Sequence, residues 1–249
     1  MKDIVSFPLL LISLAFCFGA CQKELDPTFE STRELDRLPQ FESLQTSGNA
    51  DAQILIKFNE NFEQGARNIS AEFAAVFLEE DTPVDAGLLR IGDEKLEARS
   101  SSQRYITYPD ILAEEFLGQS VMVSLQSDHA EFAPFETSVA VSPALNVRSS
   151  IGWGDYLFKD QDLELTWDAN PDNEWAYLAI CAEGVPCILR EVADNGQLVV
   201  EQSAFANFPV GAKVLLHLGR GIQKCFGDEQ QKICITTLVD AKAPGLEVR

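Results

Sequence analysis

The chain has 249 residues, 46% of them hydrophobic, and 39 acidic against 19 basic side chains give a formal net charge of −20. That length holds one large or two ordinary domains, and the apolar share suffices for a packed core. The acidity excludes nucleic acid as a partner, since such binding rests on basic groups neutralising phosphates, and it opposes lying flat on anionic lipid.

The first element is an export signal. Lys2 precedes an apolar run from Ile4 to Ala20, the order of charge and hydrophobicity that a secretory signal needs. Its 17 residues sit at the lower edge of a bilayer span. Pro8 would disturb a permanent helix, and no basic stop-transfer cluster follows, so cleavage is expected over anchoring. Removing residues 1–20 leaves the charge unchanged, because Lys2 and Asp3 cancel.

Phe18-Gly19-Ala20-Cys21 resembles a bacterial lipobox, although Phe18 stands where Leu is usual. The resemblance implies that Cys21 becomes an acylated N-terminus, and that the chain contacts the membrane through its acyl anchor. Ordinary cleavage after Ala20 is the alternative, and would leave Cys21 as a reactive exposed thiol. Cys17 falls in the removed segment. The following Gln22-Lys23-Glu24 resembles the post-cysteine signals of Bacteroidota-type lipoproteins, implying an outer-membrane location with the cell surface favoured over the periplasmic face.

Residues 22–49 are polar and charged, contain Pro27 and Pro39, and show no sustained apolar period. They read as a flexible tether. From Ala52 onward, short apolar or alternating runs predict strands over 53–58, 71–78, 88–91, 104–108, 121–126 and 135–141. The stretch from Asp110 to Leu117 has helical spacing after Pro109 and predicts one or two helical turns. Residues 143–150 read as a linker.

Beyond it, strands are expected over 163–167, 176–181, 187–191, 198–201, 213–220 and 232–238. Each half spans about 100 residues with strands at sandwich-like intervals. The stretch Leu163-Glu164-Leu165-Thr166-Trp167-Asp168-Ala169-Asn170-Pro171-Asp172-Asn173-Glu174-Trp175-Ala176-Tyr177-Leu178 resembles the start of a fibronectin type III or related immunoglobulin-like domain. The resemblance implies a display or binding module and transfers no catalytic residue. The expected fold is therefore all-β: two tandem immunoglobulin-like β-sandwiches, residues 50–146 and 147–249, after a signal peptide (1–20) and tether (21–49).

Four cysteines remain in the second half, where export permits oxidation. Cys181 and Cys187 flank five residues, and Cys225 and Cys234 flank eight, each across a hairpin-like loop. Two local disulfides are the simplest of three pairings. A zinc site from all four is the rival, but its paired spacing is usually two to four. No C-x-x-C is present for thioredoxin-like chemistry.

Histidine is limited to His129 and His217. Ser127-Asp128-His129 brings together the residue types of a hydrolytic triad, without the Gly-x-Ser-x-Gly elbow that would support it. His217 lies in a strand and reads as structural. The carboxylates are too many to select an acid–base pair, which keeps a glycoside hydrolase as a remote alternative. No P-loop or dinucleotide fingerprint calls for a cofactor.

Asp168, Asn170 and Asp172 alternate like the opening of a calcium loop, but the glycine and the distal glutamate of an EF-hand are missing; a polar turn is the competing reading. Trp153 and Tyr156 stand near carboxylates just past the linker, a pairing suited to sugar recognition, against packing at a domain junction. Trp167, Trp175 and Tyr177 are expected in the core. Together these readings describe a non-enzymatic envelope protein that binds or scaffolds a protein partner, with a surface glycan as the alternative ligand.

Overall fold

Period-two alternation rich in β-branched and aromatic residues drives nearly all of the chain into strands. The computed structural model describes residues 50–63, 66–109, 113–149, 156–173, 175–182, 185–227 and 231–249. Within them the fold is all-β. The largest sheet has nine strands, and its path runs β13 (Ile188–Val192), β12 (Trp175–Ala182), β15 (Lys213–Gly227), β16 (Lys232–Val248), β1 (Ala52–Glu63), β2 (Ala66–Glu79) and β3 (Thr82–Val84). To this path β10 (Tyr156–Leu157) adds beside β16, and β6 (Tyr105–Thr107) beside β2. A four-stranded sheet holds β5 (Glu94–Leu96), β4 (Leu88–Ile91), β7 (Ser120–Gln126) and β8 (Phe135–Ala140), and a three-stranded one holds β14 (Gln197–Val200), β11 (Leu163–Thr166) and β9 (Arg148–Ser149).

One face of the nine-stranded sheet packs against both smaller sheets. Ile54, Ile56 and Phe58 of β1, Phe73 and Phe77 of β2, Leu216 and Leu218 of β15, and Val239 of β16 share a single buried cluster with residues of both smaller sheets. Phe77 meets the ring of Phe132 edge-on at 5.2 Å, and Phe58 stacks on Phe116 at 6.0 Å. Burying each of these large side chains contributes about 1.5–3 kcal/mol.

The two halves are joined by this sheet. β1 pairs in parallel with β16 over ten residues, from Ala52↔Ile233 to Asn61↔Lys242, and antiparallel with β2. The hydrogen-bonded ladder therefore crosses the expected boundary at 146/147 without a break. The strands that make this possible are longer than expected: β15 continues past Arg220 to Gly227, and β16 past Leu238 to Val248. Their extra length carries charged residues and glycines, which break the apolar alternation that marks a strand. The helical turns expected over Asp110–Leu117 appear as one 3₁₀ turn at Ala113–Phe116, with 110–112 outside the described residues.

The expected linker is a strap clamped to the sheet. Arg220, fully buried, donates from Nε and Nη2 to the Pro143 carbonyl at 3.1 and 2.8 Å, and from Nη2 to the Ala144 carbonyl. Its Nη1 donates to the Asp168 carbonyl at 2.8 Å and pairs with Asp194 at 3.2 Å. Asp194 also accepts from the Trp167 indole at 2.7 Å and from the Asn173 amide. Glu60, equally buried on β1, accepts from the backbone amides of Leu145 and Asn146 at 2.7 and 3.3 Å. Two buried charges from opposite halves thus fix one connection.

Candidate functional site: the polar face of the central sheet

Side chains alternate across a strand, so the residues between the core positions define the second face of the nine-stranded sheet. On β1 these include Gln53, Leu55, Lys57 and Asn59; on β16, Thr236, Leu238, Asp240 and Lys242; on β15, His217, Gly219, Gly221 and Gln223; on β12, Trp175, Tyr177 and Ala179. Their apolar members form a cluster separate from the main core, with Tyr177, Ala179 and Leu238 surrounded by Leu55, Trp175 and Leu189.

Asp240 organises the middle of this face. It is 0% exposed, and Lys57 Nζ lies 3.4 Å away, His217 Nδ1 3.2 Å and Lys242 Nζ 3.7 Å. The Tyr177 hydroxyl donates to it at 3.3 Å. Burial works hardest against ionisation, but the charges of His217 and Lys57, with the His217 hydrogen bond and Lys242, together outweigh it and hold the carboxyl well below its usual range. Asn59 stands opposite Asp240 in register, and its buried Oδ1 has no hydrogen-bond partner among the described residues.

Two glycines make the face flat enough for aromatic rings. A Cβ on Gly219 would fall 2.4 Å from the Tyr177 ring, and one on Gly221 would fall 2.2 Å from the Trp175 ring. Both rings therefore lie directly on the backbone of β15, 6.0 Å apart and within 24° of parallel. This arrangement covers the otherwise unprotected glycines with apolar surface from the neighbouring strand. Asp240 fixes Tyr177, Tyr177 stacks on Trp175, and the partly exposed indole closes the sequence.

Trp167 and Tyr177 are buried as expected, Trp167 in the main core and Tyr177 in the smaller cluster, whereas Trp175 packs against that smaller cluster only partly buried. The run Trp175–Ile180 is apolar on both faces of a central strand, so it has no period to say which side is which. The findable signal was positional: Trp175 and Tyr177 are two apart, and so are Gly219 and Gly221 on the paired strand.

The other candidates fall as follows. Cys21 and Trp153 lie outside the described residues. Tyr156 is described, and the Arg249 guanidinium covers one face of its ring at 3.3 Å. Cys181–Cys187 and Cys225–Cys234 are disulfides, each clasping the neighbouring strands at one hairpin. Asp168 Oδ2 accepts from the Asn146 amide at 2.6 Å, and Asn170 Oδ1 accepts from the Asp172 backbone amide at 3.4 Å. Asn170 and Asp172 are thereby folded into a turn, and among the described residues no three His, Cys, Asp or Glu converge on a metal position. Ser127 Oγ accepts from the backbone of His129 at 3.0 Å, and His129 Nδ1 accepts from the Glu131 amide at 3.3 Å. Both groups serve a local turn, and neither orients the other as a nucleophile and base would require.

No family model matches the chain, and no curated protein matches it. Among solved structures, a Ca2+-stabilised adhesin with which an Antarctic bacterium binds ice is similar at 10% identity and a TM-score of 0.26, over 81% of this chain and 50% of that one. The chain thus spans half the length of that adhesin structure. A two-domain fibronectin type III segment from chicken tenascin is similar at 9% identity and a TM-score of 0.21, over 67% of this chain and 90% of the segment. Fibronectin(III)-like modules of Clostridium thermocellum CbhA are similar at 10% identity and a TM-score of 0.21, over 78% and 94%.

Proposed function

We propose that this chain is a non-enzymatic binding or scaffolding module of the cell envelope, anchored in the outer membrane by acylation at Cys21 and facing the cell surface. The observation that carries the binding role is the second face of the nine-stranded sheet. Its buried polar centre supports an accessible end at Trp175, Gln223, Leu55 and Gln53, on strands whose backbone hydrogen bonds are already paired in the ladder. Rigid elements hold a recognition surface more accurately than loops do. Its central carboxylate is spent on Lys57, His217 and Tyr177, which suits holding a surface in shape more than moving protons. The anchor is supported by the lipobox-like Phe18-Gly19-Ala20-Cys21.

A protein partner and a surface glycan are the two ligand classes this reading admits. The experiment compares wild type and Cys21→Ala in intact cells, using membrane fractionation, protease shaving and a photo-cross-linker placed at Gln53. Wild type is expected in the membrane fraction, shaved from whole cells and cross-linked to a discrete neighbour. Cys21→Ala is expected in the soluble fraction. Membrane retention of Cys21→Ala would remove the lipid anchor, and protection from protease until the outer membrane is opened would move the protein to the periplasmic side.

A further inference from the structure

We infer that the open end of the polar face, around Trp175, is a binding site for a neutral oligosaccharide; this rests on the binding-module reading above. The face closes over Asp240, Lys57 and His217, each at most 6% exposed, but opens toward the tip of the β15–β16 hairpin. There Trp175, Gln223 and Leu55 are half-buried and Gln53 is exposed. Gln223 donates to the Thr236 hydroxyl at 3.3 Å. In register, Leu55, Thr236 and Gln223 form one row across three strands, one step from Trp175 over Gly221, and the Cys225–Cys234 disulfide ends the face at the next row. From the Gly221 row to the disulfide is four residues, about 14 Å at about 3.4 Å per residue. That length accommodates a short run of sugar rings.

The chemistry of this strip selects the ligand. Its groups are an indole lying flat on the sheet, two side-chain amides, a hydroxyl and an aliphatic side chain, and the charged residues of its first row, Lys57 and Glu72, are buried at 2% and 6% exposed. An aromatic face packs against the C–H face of an equatorially substituted pyranose, while amides and hydroxyls meet its rim. An extended peptide would instead seek backbone donors and acceptors at a sheet edge, and here those groups are consumed by the ladders on both sides. On a chain of net charge −20, a strip whose accessible groups are uncharged favours a neutral glycan over an acidic one.

The test uses the full chain in detergent micelles, with cellohexaose and xylohexaose as probes, followed by tryptophan emission and titration calorimetry. Saturable binding to at least one probe is expected. Trp175→Ala should weaken it about tenfold or more, the equivalent of about 1.4 kcal/mol. Gln223→Ala, at a half-buried polar position away from the core, should weaken it about threefold or more. Trp153→Ala should leave it within about twofold.

Absence of binding by folded, disulfide-intact protein overturns the inference, as does undiminished affinity in both Trp175→Ala and Gln223→Ala. Loss of binding in Trp153→Ala alone would place the sugar elsewhere and overturn it equally. If Trp175→Ala does not fold, Gln223→Ala decides. Failure here leaves Cys21-dependent fractionation and cross-linking untouched, so a protein-binding module would still stand.

Discussion

Asp240 is the side chain on which the polar face depends. It is ionised inside the protein because Lys57, His217 and Lys242 lie beside it, and removing the charge takes the carboxylate away from Lys57, itself 2% exposed. Breaking a buried pair by deleting one partner costs about 3–5 kcal/mol. Asp240→Asn is therefore expected to lower unfolding stability near neutral pH by about that amount, read by urea denaturation. The pH dependence has a fixed sign. The carboxyl is held below its unfolded value of about 3.9, so its contribution is complete above about pH 4 and fades as the pH falls toward the folded value. The gap between wild type and Asp240→Asn should begin to narrow below about pH 4 and shrink steadily as the pH falls further. A gap of the same size at neutral pH and at pH 2 would show that the carboxylate's ionisation is not what stabilises the face.

At the scale of elements, legibility in the sequence followed the range of the information. Strands such as Ser120–Gln126 and Leu163–Thr166 alternate cleanly and were readable. Both disulfides were readable too, since their partners flank one hairpin each. The distal halves of β15 and β16 were not, because Gly221 and Asp240 look like turn chemistry until Trp175 covers the first and Tyr177 bonds the second from β12. The strap was hidden for the same reason. Pro143 to Asn146 has the composition of a linker, and its anchors, Arg220 and Glu60, lie 77 and 85 residues away from Pro143 and Leu145. Arg220→Met should expose how much that anchoring contributes. It leaves the carbonyls of Pro143, Ala144 and Asp168 short of a donor and Asp194 short of a cation, and the expected loss is about 3–5 kcal/mol. Hydrogen exchange should accelerate at the amides of Asp168 and Trp167, whose hydrogen bonds tie β11 to the strap and to Gly196. Unchanged exchange at both would mean that Glu60 and apolar packing hold the strap without Arg220.

For the whole molecule, the decisive feature is that a strand from the start of the fold fills the centre of a sheet otherwise completed by its end. β1 supplies Ile54, Ile56 and Phe58 to the common core and occupies the only described ladder position between β2 and β16. Without it, β16 would present a long unpaired edge rich in Ile, Val and Leu, a template for aggregation. Such a parallel pairing between distant segments also closes late, because its loop-closure cost precedes its reward. The full chain is therefore expected to unfold in one cooperative transition by near-ultraviolet and far-ultraviolet circular dichroism. Expressed separately, residues 50–146 and 147–249 should each lack a cooperative transition, the second aggregating through β16. Mixing the two should restore tertiary signal, since the ten-residue β1–β16 ladder and the Arg220 contacts to Pro143 and Ala144 would re-form across the cut. The opposite result is equally concrete. If residues 147–249 alone melt cooperatively, at a midpoint matching one of two transitions in the full chain, the shared sheet joins two self-sufficient sandwiches and neither β1 nor the strap is needed for that half's cohesion.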